Sequence, residues 1–309
     1  MKRMICVLLC LLILCGCGAP AAETEPTTTA APTTEPVVTG EPMSDGKTLK
    51  VLAIGNSFSN NTTRYLYDIA KAEGVENIVL GRLYIGGCSL QKHMKCANNN
   101  LTEYKYYKNT TGSWDCIENS TLLYGLQDEA WDIITMQQNS GNSGLPDSYE
   151  PYLTQLIEYV NTYKTNPNAK LVWHMTWAYQ SDSTQTAFAT YANSQDTMYQ
   201  CIIEANKQVI VDNPAFSAII PAGTAVQNAR TSYLGDTLTK DGYHLNELGE
   251  VIGGYMWYVT FVGKPLDGTI KLDRIPGSIS LSEENRAVIA EAVNNALKTP
   301  FEVTESTYK

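Results

Sequence analysis

Two short stretches put reactive side chains where they could act on a carbonyl group. The first is "LKVLAIGNSFS", Leu49 to Ser59, an apolar run that breaks at Gly55-Asn56-Ser57. A serine at the end of a buried strand is either a helix cap or a nucleophile held at the rim of a sheet. The second is "DGYH", Asp241 to His244. An Asp three residues before a His lets both side chains turn the same way in a tight loop. The carboxylate can then hold the imidazole in one tautomer and stabilise the imidazolium. His244 so held could take the proton of Ser57 as that hydroxyl attacks an ester carbonyl. The chain has only three histidines, so a pairing of this kind raises the weight of the nucleophile reading for Ser57.

Two more stretches offer donors for the oxyanion that such an attack creates. In "YIGGCSL", Gly86-Gly87 lets backbone N–H groups come close to a ligand. In "MQQNSGNSG", the amides of Gln138 and Asn139 are both candidates. "HMTWAYQ" supplies Trp177 and Tyr179 as a possible wall beside the serine, while His174 reads as a packed core histidine and His93 as solvent-facing. No dinucleotide fingerprint, phosphate loop or G-x-S-x-G elbow is present, because Ser59 stands where the elbow has its last glycine. The pattern calls for no cofactor and no metal; the cysteine spacing fits no zinc site.

These residues need elements to hold them. From Thr48 onward, continuous Val/Ile/Leu runs alternate with stretches of helical period. Strands are expected in "TLKVLAIG", "NIVLGRLYI", "WDIITMQ", "KLVWHMTW" and "FSAIIPAG". Helices are expected in "TRYLYDIAKAEG", "YLTQLIEYVNTYK", "TYANSQDTMYQCIIEANKQVI" and "LNELGEVIGGYMWYVTFVG", with one more near Ser282–Leu297. Such a pattern predicts an α/β protein with a five-stranded parallel sheet covered on both faces. Ligands bind such sheets at the carboxyl ends of the strands. Ser57, Gly87, Gln138 and Trp177 all fall just past those ends.

Taken in order, the blocks resemble the SGNH hydrolases, or GDSL-type esterases, over Leu49 to about Gly263. The likeness is to a bacterial subgroup with GNSF, GGCSL and DGYHL blocks. It implies a three-layer α/β/α sandwich of flavodoxin-like order, a serine esterase activity and a triad of Ser57, His244 and Asp241. Asn56 replaces an Asp that is not catalytic in the family. The oxyanion would be held by the N–H groups of Ser57 and Gly87, with Asn139 or Gln138 in place of an altered third block. The competing class is a non-catalytic glycan- or solute-binding module on the same sheet. A long-chain lipase or thioesterase would keep the chemistry and change the acyl group.

Composition narrows the partners. A net charge of -10 argues against nucleic acid. The start, with Lys2, Arg3 and an apolar run from Ile5 to Leu14, suits a signal peptide. Ending in "LCGC", it resembles a lipoprotein signal, which implies a lipid on Cys17, residues 1–17 as the signal and an extracytoplasmic protein held on a membrane. Residues 18–46, rich in Thr, Pro and Ala, read as a disordered tether, 47–263 as the hydrolase domain and 264–309 as a C-terminal helical extension. Cys96 and Cys116 flank a polar insertion and are candidates to pair. That insertion carries Tyr104, Tyr106, Tyr107 and Trp114, aromatics suited to sugar rings. The expected substrate is therefore a short-chain ester, acetyl foremost, on a carbohydrate.

Overall fold

The structure, a computed structural model, describes residues 42–309. The signal segment, Cys17 and most of the tether lie outside the described residues. The elements run β1 (Thr48–Gly55), α1 (Ser57–Thr63), α2 (Leu66–Ala72), β2 (Asn77–Tyr84), α3 (Leu90–Asn98), β3 (Tyr104–Asn109), β4 (Asp115–Ser120), α4 (Leu122–Gln127) and β5 (Ile133–Met136). There follow α5 (Tyr152–Tyr163), β6 (Lys170–His174), α6 (Gln195–Val209), β7 (Phe216–Ile220), α7 (Ala222–Arg230), α8 (Glu247–Val262) and α9 (Glu283–Lys298).

The strands form one mixed sheet of seven in the order β4-β3-β2-β1-β5-β6-β7. Its five parallel members, β2-β1-β5-β6-β7, are the five expected from the apolar runs. Their order is the flavodoxin-like 2-1-3-4-5. All four residues of β5 are buried, as are the last five of β1. Consecutive burial means that both faces are covered, which is why these strands read as continuous apolar runs.

The sheet has seven strands and not five because the polar insertion is itself β-structure. β3 joins β2 antiparallel, and β4 joins β3. Tyr104 and Tyr106 point inward and are buried, while Lys105 between them is exposed. That two-residue alternation marks a half-buried strand. β4 exposes Asp115 to Asn119 and carries charge, as a sheet edge must to discourage pairing with another chain.

Several boundaries move. The first expected helix is α2, which starts at Leu66 and not at Thr63, and a separate short helix, α1, precedes it from Ser57. α6 starts at Gln195 because Ala192 and Asn193 take left-handed φ values of 55° and 50°. α7 had no counterpart among the expected helices. All nine of its residues are buried, the polar Thr224, Gln227, Asn228 and Arg230 among them, so polarity does not separate an outer face from an inner one. Residues 43 and 44, counted with the tether, instead donate their N–H groups to Phe261 O at 2.9 and 3.1 Å. Residues beyond 263 pack as part of the same body: Val288, Ile289 and Val293 of α9 are fully buried, and the chain end returns to bond Asn228 and Thr231. Among the described residues no helix is long and apolar enough to cross a membrane.

Candidate active site

Ser57 is the first residue of α1, immediately past the carboxyl end of β1. Asn56 sets its position. The Asn56 Oδ1 caps the helix by accepting from Phe58 N at 3.0 Å, and its Nδ2 donates to Cys88 O at 3.0 Å. Oδ1 also accepts from Gln137 Nε2 at 2.9 Å. An aspartate could accept the first and last of these but could not donate to Cys88, so an amide suits this position. Gly55 is required by close approach: a Cβ there would lie 2.5 Å from Ser59 Oγ, which itself donates to Asn56 O at 2.8 Å.

The second half of the site is the turn before α8. Asp241 Oδ1 accepts from the backbone N–H of His244 at 2.8 Å and of Tyr243 at 3.3 Å. Its Oδ2 lies 2.7 Å from His244 Nδ1. One carboxylate thus builds the turn and orients the ring. Partial burial pushes the Asp241 carboxyl up, but the hydrogen bonds from the His244 side chain and backbone outweigh it and hold the group below the usual carboxylate range. The turn is braced from behind. Trp177 Nε1 donates to Tyr243 O at 2.8 Å, and its ring stacks on Phe58 with centroids 4.0 Å apart and planes 3° apart. Phe58 meets His244 edge-on at 6.0 Å.

Ser57 and His244 line one cleft of about 520 Å³. No hydrogen bond joins them in this structure; such bonds commonly tighten only when substrate is present. Gly87, with φ of +61°, follows β2 and is exposed. Among the described residues the backbone N–H groups of Ser57 and Gly87 have no hydrogen-bond partner. Asn139 lies beside Gly87: its Nδ2 donates to Gly87 O at 3.3 Å, and its Oδ1 accepts from Asn142 N.

Gln138 is corrected as an oxyanion donor. It is 1% exposed, and both ends of its amide are engaged: Oε1 accepts from Leu90 N and Asn139 N, while Nε2 donates to Ser148. It ties the loop after β5 to the start of α3. Trp177 and Tyr179 are corrected as a substrate wall, being 0% and 3% exposed. Their rings brace the His244 turn from inside. His93 is not solvent-facing but fully buried, 2.7 Å from Tyr104 Oη. His174 is buried as expected, with Nδ1 2.8 Å from Gln137 Oε1. Cys96 and Cys116 do not pair; Cys96 is in the core and Cys116 on the outer strand. Tyr104 and Tyr106 are buried, whereas Trp114 lines the cleft.

Sequence reasoning missed the charged lining of the cleft. Arg64, Arg82, Lys240 and Glu250 all border it. Glu250 is 1% exposed, accepts from Asn61 Nδ2 at 2.7 Å and pairs with Arg64 at 3.2 Å. Burial pushes its carboxyl up against the pull of Arg64. The available signal was Arg82 itself, a lone cation inside "NIVLGRLYI". Among the described residues no cluster of side chains is fit to hold a metal ion.

No curated protein matches the chain. A DUF4886 family protein from Bacteroides uniformis is similar, with 34% identity, 84% of this chain and 99% of that chain covered, and a TM-score of 0.75. Looser likenesses are to a Slackia heliotrinireducens protein assigned provisionally to the SGNH hydrolases and to a catalytic mutant of an acetylxylan esterase from Geobacillus stearothermophilus. The first is 19% identical, covering 69% of this chain and 99% of that one, with a TM-score of 0.47. The second is 10% identical, covering 70% and 93%, with a TM-score of 0.40. The family model for the domain of unknown function DUF4886 matches residues 50–289, and the chain belongs to that family.

Proposed function

We propose that the protein is a serine ester hydrolase. The observation that carries this is the Asp241–His244 pair, 2.7 Å between Oδ2 and Nδ1, opening on the cleft that Ser57 lines. In this reading His244 Nε2 removes the Ser57 hydroxyl proton as Oγ attacks the ester carbonyl. The N–H groups of Ser57 and Gly87, with Asn139 Nδ2, receive the oxyanion. His244 then returns its proton to the departing alcohol. Water, deprotonated by the same ring, releases the acyl group and restores Ser57. Asp241 holds the ring tautomer throughout.

The substrate we assign is a short acyl ester, acetyl foremost, on a carbohydrate. The cleft is open and lined by many hydrogen-bonding side chains, with Trp114, its ring stacked on Arg82, at its side; hydrogen-bonding groups beside an aromatic ring suit the polar rim and C–H face of a sugar. Cys17 we take as the lipid-bearing residue, so that the enzyme works outside the cytoplasm from a membrane anchor. The test is a p-nitrophenyl ester series from acetyl to decanoyl, with acetylated oligosaccharides alongside. Fastest turnover on the shortest esters, acetate release from a glycan and loss of both in Ser57→Ala are expected. Undiminished turnover by Ser57→Ala would end the reading, as would glycan binding with no hydrolysis of any ester.

A further inference from the structure

Arg82 sits near the carboxyl end of β2, 7% exposed, and borders the cleft that Ser57 and His244 share. Among the described residues no carboxylate lies in ion-pair range of it. Its hydrogen bonding amounts to one long contact, Nη1 to Asn60 O at 3.4 Å, and its Nε is buried without a partner. What holds it is stacking: Cζ lies 3.6 Å from the centre of the Trp114 ring and 4.8 Å from that of Tyr107. Stacking fixes the plane of a guanidinium while leaving its in-plane N–H donors free. The other charges do not relieve it. Glu250 is already taken by Arg64 at 3.2 Å, by Asn61 at 2.7 Å and by Lys240 at 3.8 Å. Three cations and one carboxylate therefore line the cleft of a protein whose net charge is -10.

A buried cation without a counter-ion is costly, and a fold keeps one where something outside the fold completes it. We propose that the cleft binds substrates bearing an anionic group, a carboxylate or a phosphate on the alcohol portion of the ester, and that Arg82 is the residue that receives it. The planar fork of the guanidinium matches both anions. Arg64 and Lys240, both half exposed at the cleft, add attraction at its mouth. For a carbohydrate ester, this selects acidic sugars over neutral ones. The inference rests on the hydrolase reading for the ester and on Arg82 alone for the anion.

Two measurements separate those parts. The first compares kcat/KM on mono-O-acetyl galacturonate with its methyl ester, a pair differing by one charge. The parental enzyme should prefer the acid at least tenfold. The ratio should fall towards one in Arg82→Gln and be partly kept in Arg82→Lys. Because the ratio is taken within each variant, loss of folded protein scales both terms and cancels. The second is calorimetric binding of galacturonate, galactose 6-phosphate and galactose to Ser57→Ala, which needs no turnover. At least one anionic sugar should bind tenfold tighter than galactose, and Arg82→Gln in the Ser57→Ala background should erase the difference. The better of the two anions names the group. Ester hydrolysis with no preference for charge, and equal binding of the three sugars, would overturn the anion site and leave the hydrolase standing. Arg82-dependent binding with no ester hydrolysed would do the reverse.

Discussion

Asp241 does two things with two oxygens, and a single substitution separates them. Oδ1 accepts the N–H groups that close the turn, while Oδ2 orients the His244 ring. Asp241→Asn can keep an oxygen on the turn, but it presents an NH2 group to the ring and favours the wrong tautomer. The expected result is a fall in kcat of about 10⁴-fold with little change in melting temperature. Steady-state kinetics and thermal unfolding of the one variant check both halves. His93 and His174 act on stability instead. Burial lowers each to about 3. The unfolded chain takes up a proton on each near pH 6.5 and the folded chain does not until about 3. Their effect is therefore absent above pH 6.5 and increasingly destabilising as pH falls towards 3, by up to about 1.4 kcal/mol per pH unit for each ring. Asp241, held low, moves stability in the same direction only at more acid pH. Denaturant unfolding at pH 7, 6 and 5 should show a loss of stability towards acid that shrinks in His93→Gln; an unchanged loss would mean that His93 does not titrate on unfolding.

At the scale of elements, the site depends on how tightly β1 turns into α1. An added methyl at Gly55 would lie 2.5 Å from Ser59 Oγ and 3.1 Å from Gln137 Oε1. Gly55→Ala should cost about 1–3 kcal/mol by overpacking. It should also lower kcat about 100-fold, because an ångström of misplacement is enough to do so. Chemical unfolding and kinetics test the two together. This turn was legible in the sequence because an apolar run ending in Gly-Asn-Ser is a local signal, and Asp241–His244 was legible because three residues of spacing close one turn. The five parallel strands were legible from continuous apolar runs. What was hidden depends on partners far away in the chain. Gln138 looks like a free amide until Leu90 and Ser148 claim it. Trp177 looks like a wall until its indole is found bonded to Tyr243. β3 looks like a polar loop because only every second residue of a half-buried strand need be apolar, and here those residues are tyrosines.

At the scale of the whole molecule, the cleft sits on a single body that runs from residue 42 to the chain end. α9 packs that body against α7 and α8, with Val288, Ile289 and Val293 buried. In the proposed reading Cys17 ties this body to a membrane. We expect the parental protein to partition with the membrane fraction of a bacterial host and Cys17→Ser to lose that partitioning. A parental protein found entirely in the soluble fraction would refute the anchor without touching the cleft.

Whether His244 activates Ser57 as a nucleophile can be measured without knowing the natural ester. The protein is treated with a fluorophosphonate and its peptides are read by mass spectrometry. One phosphonyl group is expected on the peptide carrying Ser57, formed quickly in the parental protein and slowed by orders of magnitude in His244→Ala. No adduct, or an adduct on Ser57 that forms equally fast without His244, would contradict that activation.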